Sequence, residues 1–169
     1  APGQELAPSA LRNAGLLSRL SGAGREVVDY GDSPVFRWRP DRANRYAQNA
    51  SAVRDAIIAT AERVQTAASA GQIPLALGGD CTVGMGTVSG MLAADPARIG
   101  LIYFDLHGDL NTPSSVPDGA LDWMGMAHLI DQPDALPELR QIGPLTPLLT
   151  PEQVMIFGHS HERATPWER

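Results

Sequence analysis

The sequence contains no lysine. All 13 basic residues are arginine, set against 19 acidic ones, for a formal net charge of -6. That balance excludes an ordinary nucleic-acid binder, because such binding rests on basic patches that neutralise phosphates. Arginine alone would offer guanidinium forks for anions, but its use here accompanies many alanines, glycines and prolines, the mark of a G+C-rich coding bias. Cysteine is nearly absent too. The single one, Cys81, rules out an internal disulfide framework and fits a reducing, cytoplasmic compartment. No apolar run approaches the roughly 18–20 residues of a membrane span, so no membrane partner is expected. The opening residues, Ala1–Ala10, have no basic stretch leading into an apolar core, so no signal peptide is expected.

What remains is an ordinary globular mix, 43% hydrophobic and 19% charged over 169 residues, expected to form one domain over residues 1–169. Its periodicity predicts helices alternating with strands. A first helix is expected over Ala10–Leu20, capped by Ser9, followed by a strand at Glu26–Tyr30. A long helix is expected between Asn44 and Ala70, with Val53, Ile57, Ala61, Val64 and Ala68 on one stripe and Gly71 closing it. Ile73–Leu77 is a continuous apolar run, the pattern of a buried parallel strand. A helix over Thr82–Ala93, a strand at Ile99–Phe104, a short helix reaching Ile130 and a strand at Val154–Phe157 complete the order αβαβαβαβ. The fold class is therefore α/β, three layers (α/β/α) around a mainly parallel sheet. Such sheets take ligands at the carboxyl ends of their strands.

Two of those ends are rich in ligand-type side chains. Ile73–Leu77 runs into Gly78-Gly79-Asp80-Cys81, and the next strand into Asp105-Leu106-His107-Gly108-Asp109. In extended backbone Asp105, His107 and Asp109 would share a face. With the Cys81 thiolate they are the metal-ligand candidates, able to lower the pKa of a trapped water. An isolated Asp-x-His-x-Asp would more often cap turns; its place after a buried strand favours the site. A second motif, Gly84-x-Gly86-x-x-x-Gly90 with Asp105 further on, imitates a dinucleotide fingerprint. Asp80–Val83 separate it from the strand, however, so its glycines fall inside a helix and point to close helix–sheet packing. His128 reads as a packed or surface histidine, Trp38 and Trp167 as packing residues. His159-x-His161 has a chelating spacing.

These segments resemble the arginase/agmatinase/formimidoylglutamase (ureohydrolase) family. Pro74–Gly86 is similar to its Gly-Gly-Asp-His segment, and Ile102–Pro113 (IYFDLHGDLNTP) to its Asp-Ala-His-x-Asp segment running into Asn-Thr-Pro. Asp118–Asp122 (DGALD) stands in place of its Ser-Gly-Asn-Leu-His, and Ser9–Leu17, Val27–Asp32 and Val154–Gly158 match further elements. The resemblance implies an arginase-like fold, partial because the family's first strand and its later Asp-x-Asp ligands have no counterpart here. It implies two Mn²⁺ sharing a hydroxide that attacks a guanidinium carbon, with Asp105 bridging the ions and Asp109 and His107 each on one. It also implies a small guanidino substrate and a homo-oligomer. Cys81 stands in the place of a histidine ligand, and a thiolate suits Zn²⁺ or Fe²⁺ better than Mn²⁺. Asn111 stands where arginases help hold the amino-acid end of the substrate.

The expected activity is hydrolysis of a linear C–N bond in a guanidino or amidine compound. His107 and Asp122 are the candidate catalytic groups, and Asn111, Asp118 and Asp122 the substrate-binding ones. Asp118 and Asp122 replace the family's serine and histidine. Two carboxylates there would repel a substrate carboxylate, so an agmatine-like substrate with a cationic end is expected over arginine. The alternative is a ureohydrolase-like protein without catalysis, in a binding or structural role.

Overall fold

The computed structural model describes residues 3–96 and 99–169. Its elements, in chain order, are helices α1 (Ala7–Asn13), α2 (Leu16–Gly22), α3 (Ala50–Ser69) and α4 (Thr82–Ala94), then strand β1 (Leu101–Phe104). Helices α5 (Gly125–Leu129) and α6 (Pro137–Arg140) and strand β2 (Val154–Phe157) follow. The predicted start of the chain, Ala1 and Pro2, lies outside the described residues.

The long amphipathic helix and the glycine-rich one pack against each other and organise the rest. Helix α3 buries Ala50, Ile57, Val64 and Ala67, close to the predicted stripe. It ends at Gly71, which takes φ 72°, a left-handed conformation that costs glycine nothing. It begins later than predicted because Asp41 accepts hydrogen bonds from the Asn44 and Asn49 backbone N–H groups and folds 41–49 into turns. Helix α4 lies so close to α3 that a Cβ on Gly86 would stand 2.5 Å from the Ile57 carbonyl oxygen. One on Gly90 would stand 2.4 Å from that of Ala61. Gly86 and Gly90 thus form a packing surface, with helix α3 rather than the sheet as their partner.

Strands β1 and β2 are parallel and in register from Leu101↔Val154 to Phe104↔Phe157. Leu101, Tyr103 and Val154 pack against the core. On the opposite face Ile102, Phe104, Met155 and Phe157 are exposed, with the Phe104 and Phe157 rings stacked at 5.3 Å.

Two predicted strands do not form. Glu26–Tyr30 and Ile73–Leu77 pair with nothing in a ladder among the described residues, so the sheet has two strands there instead of four. An apolar run becomes a strand only when a neighbour takes its backbone hydrogen bonds, and no adjacent strand does so. Ile73 is 96% exposed, the reverse of the burial predicted. The predicted first helix is also divided: Gly15, at φ 82°, separates α1 from α2, and the Ser9 hydroxyl donates back to the Leu6 carbonyl instead of capping. The class, α/β with a parallel sheet, stands.

Candidate metal centre

Strand β1 delivers its last ladder hydrogen bond one residue late, from the Asp105 N–H to the Phe157 carbonyl at 3.1 Å. The chain then turns at once, because one Asp105 carboxylate oxygen accepts the His107 backbone N–H at 3.0 Å. Two residues on, Asp109 takes φ 50°, a left-handed conformation that aspartate tolerates better than most side chains. Its carbonyl receives the Ala127 N–H, and the Asn111 N–H reaches the Trp123 carbonyl, both at 3.1 Å. The loop is thereby pinned along α5 and the Asp109 side chain is driven inward to 3% exposure.

This path corrects the simple alternation expected from extended backbone. Asp105 and Asp109 meet, but His107 does not join them: its ring lies against Trp123, centroids 4.8 Å apart, with Nδ1 3.9 Å from Asp105. The third partner is Cys81, at the start of helix α4, whose thiol donates to Asp105 Oδ2 at 3.5 Å. One ligand atom each from Cys81, Asp105 and Asp109 lie within 4.8 Å of one another, and this is the one such group among the described residues. His159 and His161 enter no such group.

Burial dominates the electrostatics. It pushes the Cys81 thiol up to about 12, helped by the nearby carboxylates of Asp109 and Asp105, so without a cation the sulfur stays protonated and is no nucleophile. Burial likewise pushes Asp109 up to about 6, against the hydrogen bond from Tyr103 that holds it down. A buried sulfur and the buried Asp109 carboxylate, whose charged forms are disfavoured, gathered with the Asp105 carboxylate, fit a divalent cation, which would draw off the thiol proton. The set of three donors suits one ion.

Two contributors escaped the sequence. The Tyr103 hydroxyl, carried by β1, donates to Asp109 Oδ2. The terminal turn clamps the loop: Glu168 accepts the Leu110 N–H at 3.3 Å, and the Thr165 hydroxyl donates to Asn111 Oδ1 at 2.8 Å. A Tyr six residues before an Asp carries no signal beyond strand alternation, and the clamp is a contact over more than fifty residues. Trp167 is more than a packing residue: half-exposed, it donates through Nε1 to the Leu110 carbonyl at 2.8 Å.

Of the substrate candidates, Asn111 is fully buried, with Nδ2 lacking a partner. Asp118 is exposed and accepts the Ala120 N–H at 3.1 Å, closing a turn. Asp122 is half-buried, and burial, with Asp80 second, raises its pKa. His128 is a packed histidine: its Nδ1 bonds the Met124 carbonyl at 2.6 Å, and its Nε2 accepts the Leu136 N–H at 3.0 Å.

Residues 1–165 match the family described as the Arginase family. The arginase of Bacillus caldovelox is 34% identical over 158 residues, which cover 92% of this chain and 52% of that protein. Human arginase-1 is 31% identical over 157 residues, 92% of this chain and 48% of its own. Among solved structures, the arginase of Bacillus subtilis superposes with a TM-score of 0.83 at 31% identity, covering 97% of this chain and 53% of that one. The chain spans about half the length of the relatives it matches.

Proposed function

This chain belongs to the arginase family, and we propose that the protein it forms is a metal-dependent hydrolase of a linear C–N bond in a guanidino compound. The observation that carries the proposal is the meeting of Cys81, from the start of helix α4, with Asp105 and Asp109, from the loop after strand β1, in an arginase fold. Those three residues would hold the ion, and the ion would supply the positive charge that acidifies a water at neutral pH. The remaining work falls to the chain itself. Asp105 and Asp109 set negative charge beside a guanidinium. His107, its ring against Trp123, would carry a proton between the centre and solvent. Asn111 brings a buried, unused amide donor to the same loop.

The relatives named above are arginases; for this chain we favour an amine-ended, agmatine-like guanidine. The support is Asp122 alone, since Asp118 is spent on its turn. A half-buried carboxylate beside Asp80 repels a second carboxylate and attracts a cation. We further place the protein in the cytoplasm, where Cys81 stays reduced, as one domain that assembles into a homo-oligomer. Urea release by the metal-loaded protein from agmatine and from arginine is the test. Agmatine is expected to give the higher kcat/KM, and Asp122→Asn to narrow the gap by about tenfold, the worth of about 1.4 kcal/mol. Equal turnover of both substrates refutes the specificity; urea from neither refutes the hydrolase and leaves a binding role.

A further inference from the structure

We propose that Tyr103 is the positioning residue of this centre: its hydroxyl holds one oxygen of Asp109, so that Cys81, Asp105 and Asp109 stand as a preformed set of donors for a thiophilic divalent ion. The premise that the three bind an ion at all comes from the proposed function. What the Tyr103 role adds stands on separate geometry. Tyr103 occupies the core-facing side of β1, flanked by exposed Ile102 and Phe104, and so its ring points toward the helices instead of toward solvent. It lines a small cavity with Cys81, Met85 and Leu129 at the base of the cluster. From there the hydroxyl donates to Asp109 Oδ2.

Asp109 needs such a partner. It sits on a loop residue with φ 50°, nearly without solvent, and its side chain is bonded by no backbone N–H among the described hydrogen bonds. Asp105, by contrast, is steadied by the His107 N–H and by the Cys81 thiol. With Tyr103 in place, one Asp109 oxygen is engaged and the other is left for a cation. A carboxylate fixed in this way presents a single oxygen, which suits a small, tetrahedral, sulfur-tolerant ion such as Zn²⁺ or Co²⁺. Partners of this kind, which touch a ligand rather than the ion, change metal affinity by about 10–100-fold when removed.

The test is a Co²⁺ and Zn²⁺ titration of the wild-type chain, Cys81→Ser and Tyr103→Phe, read by the sulfur-to-cobalt charge-transfer band and by competition with a chelator of known affinity. Phenylalanine fills the same volume, and the metal-free melting temperature of each variant is recorded beside the titration. The wild type is expected to show the band and Cys81→Ser to lose it. Tyr103→Phe should keep the band while its Kd rises 10–100-fold, a combination that a merely structural tyrosine would not produce. In the Asp109→Ala background the same Tyr103→Phe change should have no further effect on Kd, because its acceptor is gone. A Tyr103→Phe Kd equal to the wild type's, or a full additional loss in the Asp109→Ala background, overturns the positioning role while leaving the metal centre intact. No band and no binding in the wild type overturns the centre itself.

Discussion

Gly84 and Gly90 lie six residues apart on the same helix and should respond to alanine with opposite signs. In helix α4, Gly84 is exposed and a Cβ built on it meets nothing within 4 Å. Replacing glycine by alanine inside a helix lowers the entropy of the unfolded chain and stabilises by about 0.5–1 kcal/mol. Gly90 would gain the same amount, but its Cβ would stand 2.4 Å from the Ala61 carbonyl oxygen and 2.7 Å from the Val64 Cβ. Carbon packs at about 3.5 Å or beyond, so the two helices would have to part by roughly 1 Å. A backbone carbonyl cannot swing aside as a flexible side chain can. Overpacking of this kind costs about 1–3 kcal/mol, which outweighs the helix gain. Gly90→Ala is therefore expected to fall about 1–2 kcal/mol below the wild type and Gly84→Ala to rise by up to about 1 kcal/mol. In a chain of this size those changes move the melting temperature by about 2–4 °C per kcal/mol. Urea unfolding followed by circular dichroism measures both, with unchanged m-values as the sign that only stability moved. Because Cys81 opens the same helix, Gly90→Ala should also weaken Co²⁺ binding. If Gly90→Ala proves as stable as Gly84→Ala, the α3–α4 spacing is not set by these glycines and the packing account fails.

His128 should make the fold sensitive to acid. Burial depresses its pKa below the ordinary value of 6.5, and its Nε2 lone pair receives the Leu136 N–H. The unfolded chain therefore binds the proton first. Stability is whole above about pH 6.5 and is lost as the pH falls below it. His128→Gln is expected to cost about 1–3 kcal/mol at pH 7.5 and to flatten the melting temperature between pH 7 and 5; an equally steep acid loss in the variant would refute the assignment. The apolar outer face of the sheet should drive self-association. Light scattering is expected to show oligomers of the wild type and a shift to monomer for Phe157→Glu, and a wild type monomeric at every concentration would refute it.

The helices were legible wherever burial and local propensity agreed. Ile57 and Val64 recur at helical spacing and both end up in the core, and Gly71 stops the helix at the residue expected. Gly84–Gly90 could be placed inside a helix because six residues, Gly78–Val83, separate them from the preceding apolar run. The strands were legible only where a partner exists: Val154–Phe157 forms as predicted because Leu101–Phe104 lies beside it in register. Ile73–Leu77 carries an equally strong apolar signal, yet hydrophobicity records only a demand for burial. Whether a neighbouring strand meets that demand is a property of the assembly around the segment.

The site divides in the same way. Asp105, Asp109 and Cys81 could be nominated because each follows an apolar run, where open α/β sheets gather their ligands. His107 follows from the same alternation, but its ring lies against Trp123, because the Asp105 carboxylate turns the chain at the His107 N–H and takes the loop out of extended geometry. No pattern announces that turn, and the Ala127 and Asn111 hydrogen bonds pin the loop beyond it. Tyr103 shows the converse. The sequence singles it out only as one residue of an apolar strand, but a ring on the inner face of a short strand carries its hydroxyl past the strand end and into the cluster. Residues that ligate can be found by type and spacing, whereas those that hold ligands in place are chosen by reach. Reach becomes visible only once β1 has a direction and Asp109 a depth.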